Sequence, residues 1–369
     1  MNERIVYLCS TPVHLMNCIV AQMTVNREFP ADIVLQNVTD FSELRPRLQR
    51  CRVFEEIYDF DTLRGNERLH ELTGEERAAS VHRPSELYPM PELKAGCTVL
   101  CANLDSNATR FFYYGLLEKG LSPRVDFVSE GTSTYAMDFC NTERDGLDHA
   151  HYGEGAFLKH IGKLWCYRPE LYTGGSELPE LMELPVYDAL PEEVRAVISD
   201  VFGTTAPIRE KLIFFEGTFW GDGMLTDEIR LFLAIADHIG RENVIVKRHP
   251  RNTVDRFTPL GFKVMERQTV PWEVMIKDED LSHKVLVSVA SFTGFSALEM
   301  YGRPSLSLLL KDVMRGKVSF LEDPGYRRFF QQAEQVYNRE RVTSWSPKSM
   351  NELEMTLDVL EQKVGGWRP

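Results

Sequence analysis

The sequence predicts an α/β protein built from two Rossmann-like domains in series, each with a parallel β-sheet. Short apolar runs typical of strands alternate with segments long enough for crossover helices, and this alternation indicates parallel sheets. A stretch rich in proline and acidic residues interrupts the alternation near mid-chain, after which it starts again. The chain has 369 residues, 43% of them hydrophobic, which is enough for two hydrophobic cores.

The first half opens with an apolar strand at residues 5–9, followed by Ser10, Thr11 and Pro12 and by helical apolar spacing over 13–25. The remaining elements predicted in this half are strands at 32–35, 53–60, 98–102 and 124–129 and a crossover helix at 106–118.

Residues 177–207 contain four prolines and many acidic residues, which favours a hinge region with one short helix. We therefore predict domains over 1–195 and 205–369. The elements predicted in the second half are strands at 211–215, 243–247, 284–288 and 305–310 and helices at 227–239 and 294–301. Such folds bind ligands at the carboxyl ends of their strands.

Composition narrows the class of protein. The formal net charge of −13 argues against nucleic acid as the main partner. Seven scattered cysteines without a CxxC pair indicate neither a zinc site nor a disulfide framework, and they favour a cytoplasmic location. The amino-terminal apolar run is too short for a signal peptide, and no run approaches the roughly 20 apolar residues of a membrane span.

A basic segment follows the strand at 243–247. Lys247, Arg248 and His249 stand at its carboxyl end, and Pro250 stops the strand so that the imidazole projects into the crevice. This arrangement predicts an anion site. A histidine that only caps the strand beside solvated cations is the alternative, but the position in the fold favours a function.

A hydroxyl-rich segment links the strand at 284–288 to the next helix. Ser291, Thr293 and Ser296, together with backbone N–H groups at the helix start, suit a phosphate. For any one of these hydroxyls alone, an ordinary helix cap fits better. Thr218, after the strand at 211–215, is a further candidate for a donor or acceptor contact.

In the first half, Glu130 and Gly131 follow the strand at 124–129. Glu130 is a candidate general base if its carboxylate lies near an acceptor hydroxyl, and Gly131 permits close approach of backbone to ligand. Acid–glycine turns after strands are also common without any such role. Ser10 and Thr11 end the first strand in the same crevice and are candidate substrate contacts.

Taken in order, the acidic motif at Glu130, the His249-Pro250 pair and the serine-rich segment resemble the bacterial sialyltransferases of glycosyltransferase family 52 and, more distantly, bacterial polysialyltransferases. The amino-terminal strand and loop at residues 7–15 are similar as well. Two positions depart from the family pattern: Ser129 replaces the first acid of the acidic motif, and the usual serine doublet is spread over Ser291, Thr293 and Ser296.

The resemblance implies a GT-B fold, two Rossmann-like domains with parallel sheets facing across a cleft, a CMP-sialic acid donor, inversion at the anomeric carbon and a homodimer. It implies that Glu130 is the base on the acceptor side and that His249 binds the donor phosphate. Together with His249, we assign seven further residues to donor binding: Lys247, Pro250, Ser291, Thr293, Ser296, Thr218 and Glu299.

We expect no cofactor and no metal, with CMP-sialic acid acting as a co-substrate. A leaving nucleoside monophosphate carries one phosphate, and an imidazole with a pKa of about 6.5 can hydrogen-bond or protonate it. Asp59 and Asp61 have the spacing that metal-dependent glycosyltransferases use, but a solvated strand end explains them better. His149, His151 and His160 match no zinc pattern and are expected in loops or at the surface.

Residues 157–168 alternate apolar and basic side chains at roughly helical spacing. An ordinary amphipathic helix explains them, and a helix that docks a lipid-linked glycan acceptor, such as lipooligosaccharide, at the inner face of the membrane is the alternative.

Two other functions stay open: a transferase for another CMP-activated ulosonic acid, such as Kdo or a sialic acid relative, and a non-catalytic nucleotide- or glycan-binding module.

Overall fold

The computed structural model describes residues 3–73, 75–76, 84–87, 89–94, 96–103, 106–136, 157–174, 179–303, 305–316, 318–339 and 343–367. Cys140, His149 and His151 lie outside these ranges. The chain divides into two compact units, the first comprising Met1–Pro185 and Ala189–Val201 and the second comprising Val186–Asp188 and Phe202–Pro369.

The first unit contains a seven-stranded parallel sheet with the order β3-β2-β1-β4-β5-β6-β7. Its strands are β1 Ile5–Cys9, β2 Ala31–Gln36, β3 Ile57–Phe60, β4 Val99–Ala102, β5 Arg124–Val128, β6 Ile161–Cys166 and β7 Glu180–Glu183. Its helices are α1 Pro12–Met23, α2 Arg45–Cys51, α3 Thr62–Glu71, α4 Pro84–Leu87, α5 Asn107–Glu118 and α6 Thr132–Ala136, and α7 Glu192–Phe202 crosses into the second unit. Short 3-10 turns occupy Leu158–His160 and Pro169–Leu171, and a third, Tyr187–Ala189, includes residues assigned to both units.

Strand β1 is buried along its whole length because helices cover both faces of a parallel sheet. Two local features fix the start of the next helix, α1. Thr11 is its N-cap, and the Thr11 hydroxyl accepts a hydrogen bond from the His14 backbone N–H at 3.2 Å. Pro12 occupies the first helical turn, where its missing N–H costs nothing. These caps fix the loop that follows β1.

The second unit contains a six-stranded parallel sheet with the order β10-β9-β8-β11-β12-β13. Its strands are β8 Leu212–Phe215, β9 Val244–Lys247, β10 Lys263–Val264, β11 Val285–Ser288, β12 Leu306–Leu309 and β13 Ser344–Trp345. Its helices are α8 Glu228–Ile239, α9 Trp272–Met275, α10 Thr293–Tyr301, α11 Ser319–Glu322, α12 Pro324–Tyr337 and α13 Met350–Val364, with 3-10 turns at Arg241–Asn243, Thr258–Leu260 and Ile276–Asp278. In its core Phe214 of β8 stacks on Phe232 of α8, with ring centroids 3.8 Å apart.

The predicted fold class is confirmed, because both sheets are parallel. The six strands of the second sheet, and the first six of the first sheet, follow the Rossmann order 3-2-1-4-5-6. This order places a topological switch point between β1 and β4 in the first sheet and between β8 and β11 in the second. Residues that follow these strands and their neighbours are therefore placed to meet a ligand.

The helix predicted over residues 157–168 is wrong, because Ile161–Cys166 forms strand β6 between β5 and β7. Ile161, Leu164 and Trp165 fit a helical stripe, but the same residues also fit a strand covered on both faces, and pairing with β5 decides the outcome. The proposed membrane-docking helix is therefore withdrawn. No helix in the described ranges is long and apolar enough to cross a bilayer.

Candidate active site

The first unit gathers three polar side chains at the carboxyl edge of its sheet. Ser10 follows β1, Asn103 follows β4 and Glu130 lies two residues after β5. The Asn103 amide nitrogen donates to the Ser10 hydroxyl at 2.7 Å and also to a carboxylate oxygen of Glu130. Asn103 thus joins the predicted base to the predicted substrate contact at the switch point of the sheet.

The turn that carries Glu130 is fixed by its backbone. The Glu130 N–H donates to the Thr134 hydroxyl at 3.2 Å, and that hydroxyl donates to the Asn103 carbonyl at 3.4 Å. Gly131 adopts a φ of 147°, a conformation that favours glycine over other residues. The hydrogen bond from Asn103 holds the Glu130 carboxylate in place, and Glu130 is half-buried, so it keeps partial access to solvent.

Ser129, which occupies the position where the family pattern has an acid, has a structural role at the carboxyl edge of the first sheet. It is buried, and its carbonyl accepts a hydrogen bond from the Asn17 amide at 2.5 Å. The Asn17 carbonyl oxygen in turn accepts from the Tyr167 hydroxyl at 2.7 Å. These contacts tie α1, β5 and the segment after β6 together beneath Glu130. Thr11, the other predicted contact, is half-buried and caps α1.

Asp59 and Asp61 are engaged in structural contacts. Asp59 pairs with Arg45 at 3.2 Å, and Asp61 caps α3 by accepting from the Arg64 backbone N–H at 3.1 Å. That backbone hydrogen bond, together with one from Asn37, lowers the pKa of Asp61. Within the described residues, the group of Cys, His, Asp and Glu side chains that could hold a metal is instead Cys9, His14 and Cys18.

The second unit fixes His249 by both its backbone and its ring. The His249 backbone N–H donates to a Glu216 carboxylate oxygen at 3.0 Å, and the Arg251 backbone N–H donates to ring atom Nδ1 at 3.2 Å. Since Nδ1 accepts, the neutral ring carries its proton on Nε2. Burial lowers the pKa of His249 to about 3, and the charges of Arg251 and Lys247 add to this effect. His249 is therefore a neutral N–H donor, not the readily protonated group with a pKa near 6.5 that the sequence suggests.

A buried carboxylate pair supports the loop that carries His249. Arg256 contacts Glu216 at 2.7 Å and Glu228 at 3.3 Å, and Glu228 also accepts from the Gly217 N–H at 2.7 Å. Burial, followed by repulsion from Glu216, raises the pKa of Glu228 to about 7. Asn252 completes the brace by donating to the Gly217 carbonyl at 3.0 Å.

Two of the predicted donor-binding residues lie beside His249 with different surroundings. Lys247 is buried at the end of β9, and its ammonium donates to the Gln268 carbonyl at 3.3 Å. Burial lowers the pKa of Lys247 to about 8, against the opposing influence of Glu273. Pro250 is half-buried in the turn after His249. Thr218, also half-buried, lies in the loop after β8, the strand next to β9.

The serine-rich segment follows β11, on the other side of β8 from β9. The hydroxyls of Ser291 and Thr293 are 2.6 Å apart, and Ser291 Oγ also accepts from the Thr293 N–H at 3.2 Å. Both residues are half-buried at the start of α10. The hydroxyl pair thus lies at the same sheet edge as His249.

Ser296 and Glu299 face the interior of the second unit. Ser296 is fully buried, and its hydroxyl donates to the Thr293 carbonyl at 2.9 Å. Glu299 is also buried and accepts a hydrogen bond from the Tyr337 hydroxyl. These contacts favour structural roles for both, and their assignment to the donor stays a prediction.

Sequence reasoning missed Asn103, Asn17 and Glu216. Asn103 and Glu216 directly follow β4 and β8, so the rule that located Glu130 and His249 would also have found them. Asn17 lies within α1, and no sequence signal sets it apart from other helix residues.

Comparison with solved structures gives matches over nearly the whole chain. An α/β-galactoside α-2,3-sialyltransferase from Photobacterium phosphoreum matches with a TM-score of 0.50 and 11% identity, over 94% of this chain and 99% of that one. The glycotransferase of kitacinnamycin matches with a TM-score of 0.51 and 9% identity, over 100% and 94%. UGT89C1 of Arabidopsis thaliana, complexed with UDP-L-rhamnose, matches with a TM-score of 0.52 and 9% identity, over 100% and 91%.

No family model matches the sequence, and no curated protein matches it significantly. At 9 to 11% identity the structural similarity bears on the fold alone. On that basis the chain has a GT-B fold, with two parallel Rossmann-like sheets.

Proposed function

We propose that this chain is a glycosyltransferase, and more specifically an inverting sialyltransferase that uses CMP-sialic acid. The observation that carries the proposal is the Asn103 bridge, which holds the Glu130 carboxylate beside Ser10 at the switch point of the first sheet. A fixed, accessible carboxylate at this edge suits a general base.

The second unit supports the donor side of the proposal. His249 offers an Nε2–H donor, and Ser291 and Thr293 offer hydroxyls at the same sheet edge. Neutral donors and backbone N–H groups at a helix start can stabilise the charge that gathers on a departing phosphate. A leaving CMP has a single phosphate and needs fewer countercharges than a diphosphate, so this set of groups favours a CMP-linked sugar.

In the proposed reaction, Glu130 accepts the proton of the acceptor hydroxyl while that oxygen bonds to the anomeric carbon of the sialic acid. The bond from this carbon to the phosphate oxygen breaks, and its electron pair leaves with CMP. His249 donates a hydrogen bond to the phosphate, where negative charge increases as the bond breaks.

A donor panel tests the proposal. The protein is incubated with CMP-sialic acid, CMP-Kdo and UDP-linked sugars, each with a mixture of galactoside acceptors, and nucleotide release is measured. We expect CMP release from CMP-sialic acid that increases with acceptor. Preference for CMP-Kdo would shift the assignment to another ulosonic acid, and preference for a UDP-sugar would overturn the CMP donor.

Turnover separates an enzyme from a binding module. A non-catalytic module would bind CMP and leave CMP-sialic acid intact at any acceptor concentration. CMP binding by such a module would also not change when the Glu130 carboxylate is removed, whereas transfer depends on that carboxylate.

A further inference from the structure

Two cysteines and a histidine meet at the carboxyl end of β1. Cys9 is the last residue of the strand, and His14 and Cys18 lie four residues apart on one face of α1. The two sulfur atoms and one imidazole nitrogen lie within 4.8 Å of one another, and all three side chains are fully buried.

The His14 imidazole lacks a hydrogen-bond partner at both of its nitrogens among the described residues. Buried polar groups in folded proteins nearly always have a partner, so a fully buried orphan ring indicates a ligand or ion. Burial lowers the pKa of His14 to about 3, which keeps the ring in the neutral form that coordinates metals.

We propose that Cys9, His14 and Cys18 form a Zn²⁺ site. Two thiolates and an imidazole match the sulfur and nitrogen ligands that Zn²⁺ prefers, whereas Mg²⁺ and Ca²⁺ require oxygen ligands. A tetrahedral Zn²⁺ separates such ligand atoms by about 3.5 to 4 Å, so the distances between them need to shorten by at most about 1.3 Å.

Binding would be coupled to proton release. Burial and neighbouring groups, including Cys9 and Glu130, raise the pKa of the Cys18 thiol, so without metal this thiol stays protonated. The ion displaces a proton from each cysteine to solvent, and the two thiolates then balance its charge.

The ion would help to position the candidate base, Glu130, without touching the substrate. It would tie the end of β1 to the first turns of α1, which also carries Asn17, the donor to the Ser129 carbonyl. Ser10, a partner of Asn103, lies in the segment between the ligands.

Cobalt substitution tests the site independently of any transferase activity. The reduced, metal-free full chain is titrated with Co²⁺, and the near-ultraviolet thiolate-to-cobalt charge-transfer absorption is followed. We expect one equivalent to saturate the band, Zn²⁺ to abolish it, and Zn²⁺ to raise the melting temperature.

The variants Cys9→Ser, His14→Ala and Cys18→Ser should each lower Co²⁺ affinity by about 100-fold or more, since loss even of outer ligand partners costs about 10- to 100-fold. Cys97→Ser is the matched control, because Cys97 is equally buried and its thiol donates to the Val99 carbonyl at 3.6 Å. It should bind Co²⁺ as the parent does.

The proposal is overturned if the reduced parent shows no such band, or if the band persists in folded Cys18→Ser. If the variants do not fold, X-ray absorption of the Zn²⁺-loaded parent decides. Two sulfur neighbours and at least one nitrogen support the site, and oxygen and nitrogen neighbours alone refute it.

Discussion

Replacing Asn103 with alanine should slow transfer while leaving donor binding intact. The Asn103 amide contacts both Glu130 and Ser10 and is 3% exposed, so alanine removes both contacts where water has little access to replace them. Hydrogen bonds to charged groups contribute about 1.5 to 3 kcal/mol. If that contribution is needed to place the base in the transition state, transfer falls by about 10- to 150-fold.

The assay measures kcat for transfer together with the dissociation constant of CMP. We expect kcat to fall by that factor and CMP affinity to change less than about 3-fold.

Asn26→Ala is the control, since Asn26 is also buried in the first unit and donates to the Tyr7 hydroxyl at 2.9 Å, away from the edge that carries Glu130. Equal losses of kcat in both variants, or a parent-like kcat in folded Asn103→Ala, would refute the positioning role.

Three further predictions concern the second unit and metals. His249→Ala should lower transfer by about 2 to 4 orders of magnitude at saturating donor, because a hydrogen bond that strengthens as the phosphate departs is lost; near-normal turnover would contradict its role. Transfer should continue in excess EDTA, apart from any loss that Zn²⁺ alone restores, and loss of activity that Mg²⁺ or Mn²⁺ restores would point to a catalytic metal instead. Glu228, with a folded-state pKa of about 7 against 4.5 when exposed, binds its proton more tightly in the folded state. The contribution of this group to the free energy of unfolding therefore falls as the pH rises from about 4.5 to about 7, by about 3 kcal/mol in all. Glu228→Gln should remove this part of the pH dependence in urea unfolding, and an unchanged slope would contradict it.

Much of the fold follows from sequence patterns because its central strands are continuous apolar runs. β1, β8 and β11 are buried along their length and were each predicted within about two residues. β7 escaped prediction, since Glu180–Glu183 is largely exposed and is held by backbone pairing with β6. The apolar spacing of β6 fits a helix as well as a strand, so the sequence pattern alone indicates a helix there.

The candidate site was predictable only in part. Glu130 and His249 were found because each follows a strand. The directions of side chains were not predictable: Ser296 and Glu299 lie on the buried face of α10, although their residue types suit a donor. Cys9, His14 and Cys18 lack a known zinc spacing, and they meet only because α1 folds back against the end of β1.

The substitution Glu130→Gln tests the central claim most directly, because it keeps the shape of the side chain and removes its basicity. If Glu130 is the general base, transfer falls by about 100-fold or more while CMP binds with affinity close to that of the parent. Ser129→Ala, the control at the neighbouring residue, should lose less of the transfer rate, since a serine cannot act as a base at neutral pH. Parent-like transfer by a folded Glu130→Gln variant would contradict the account.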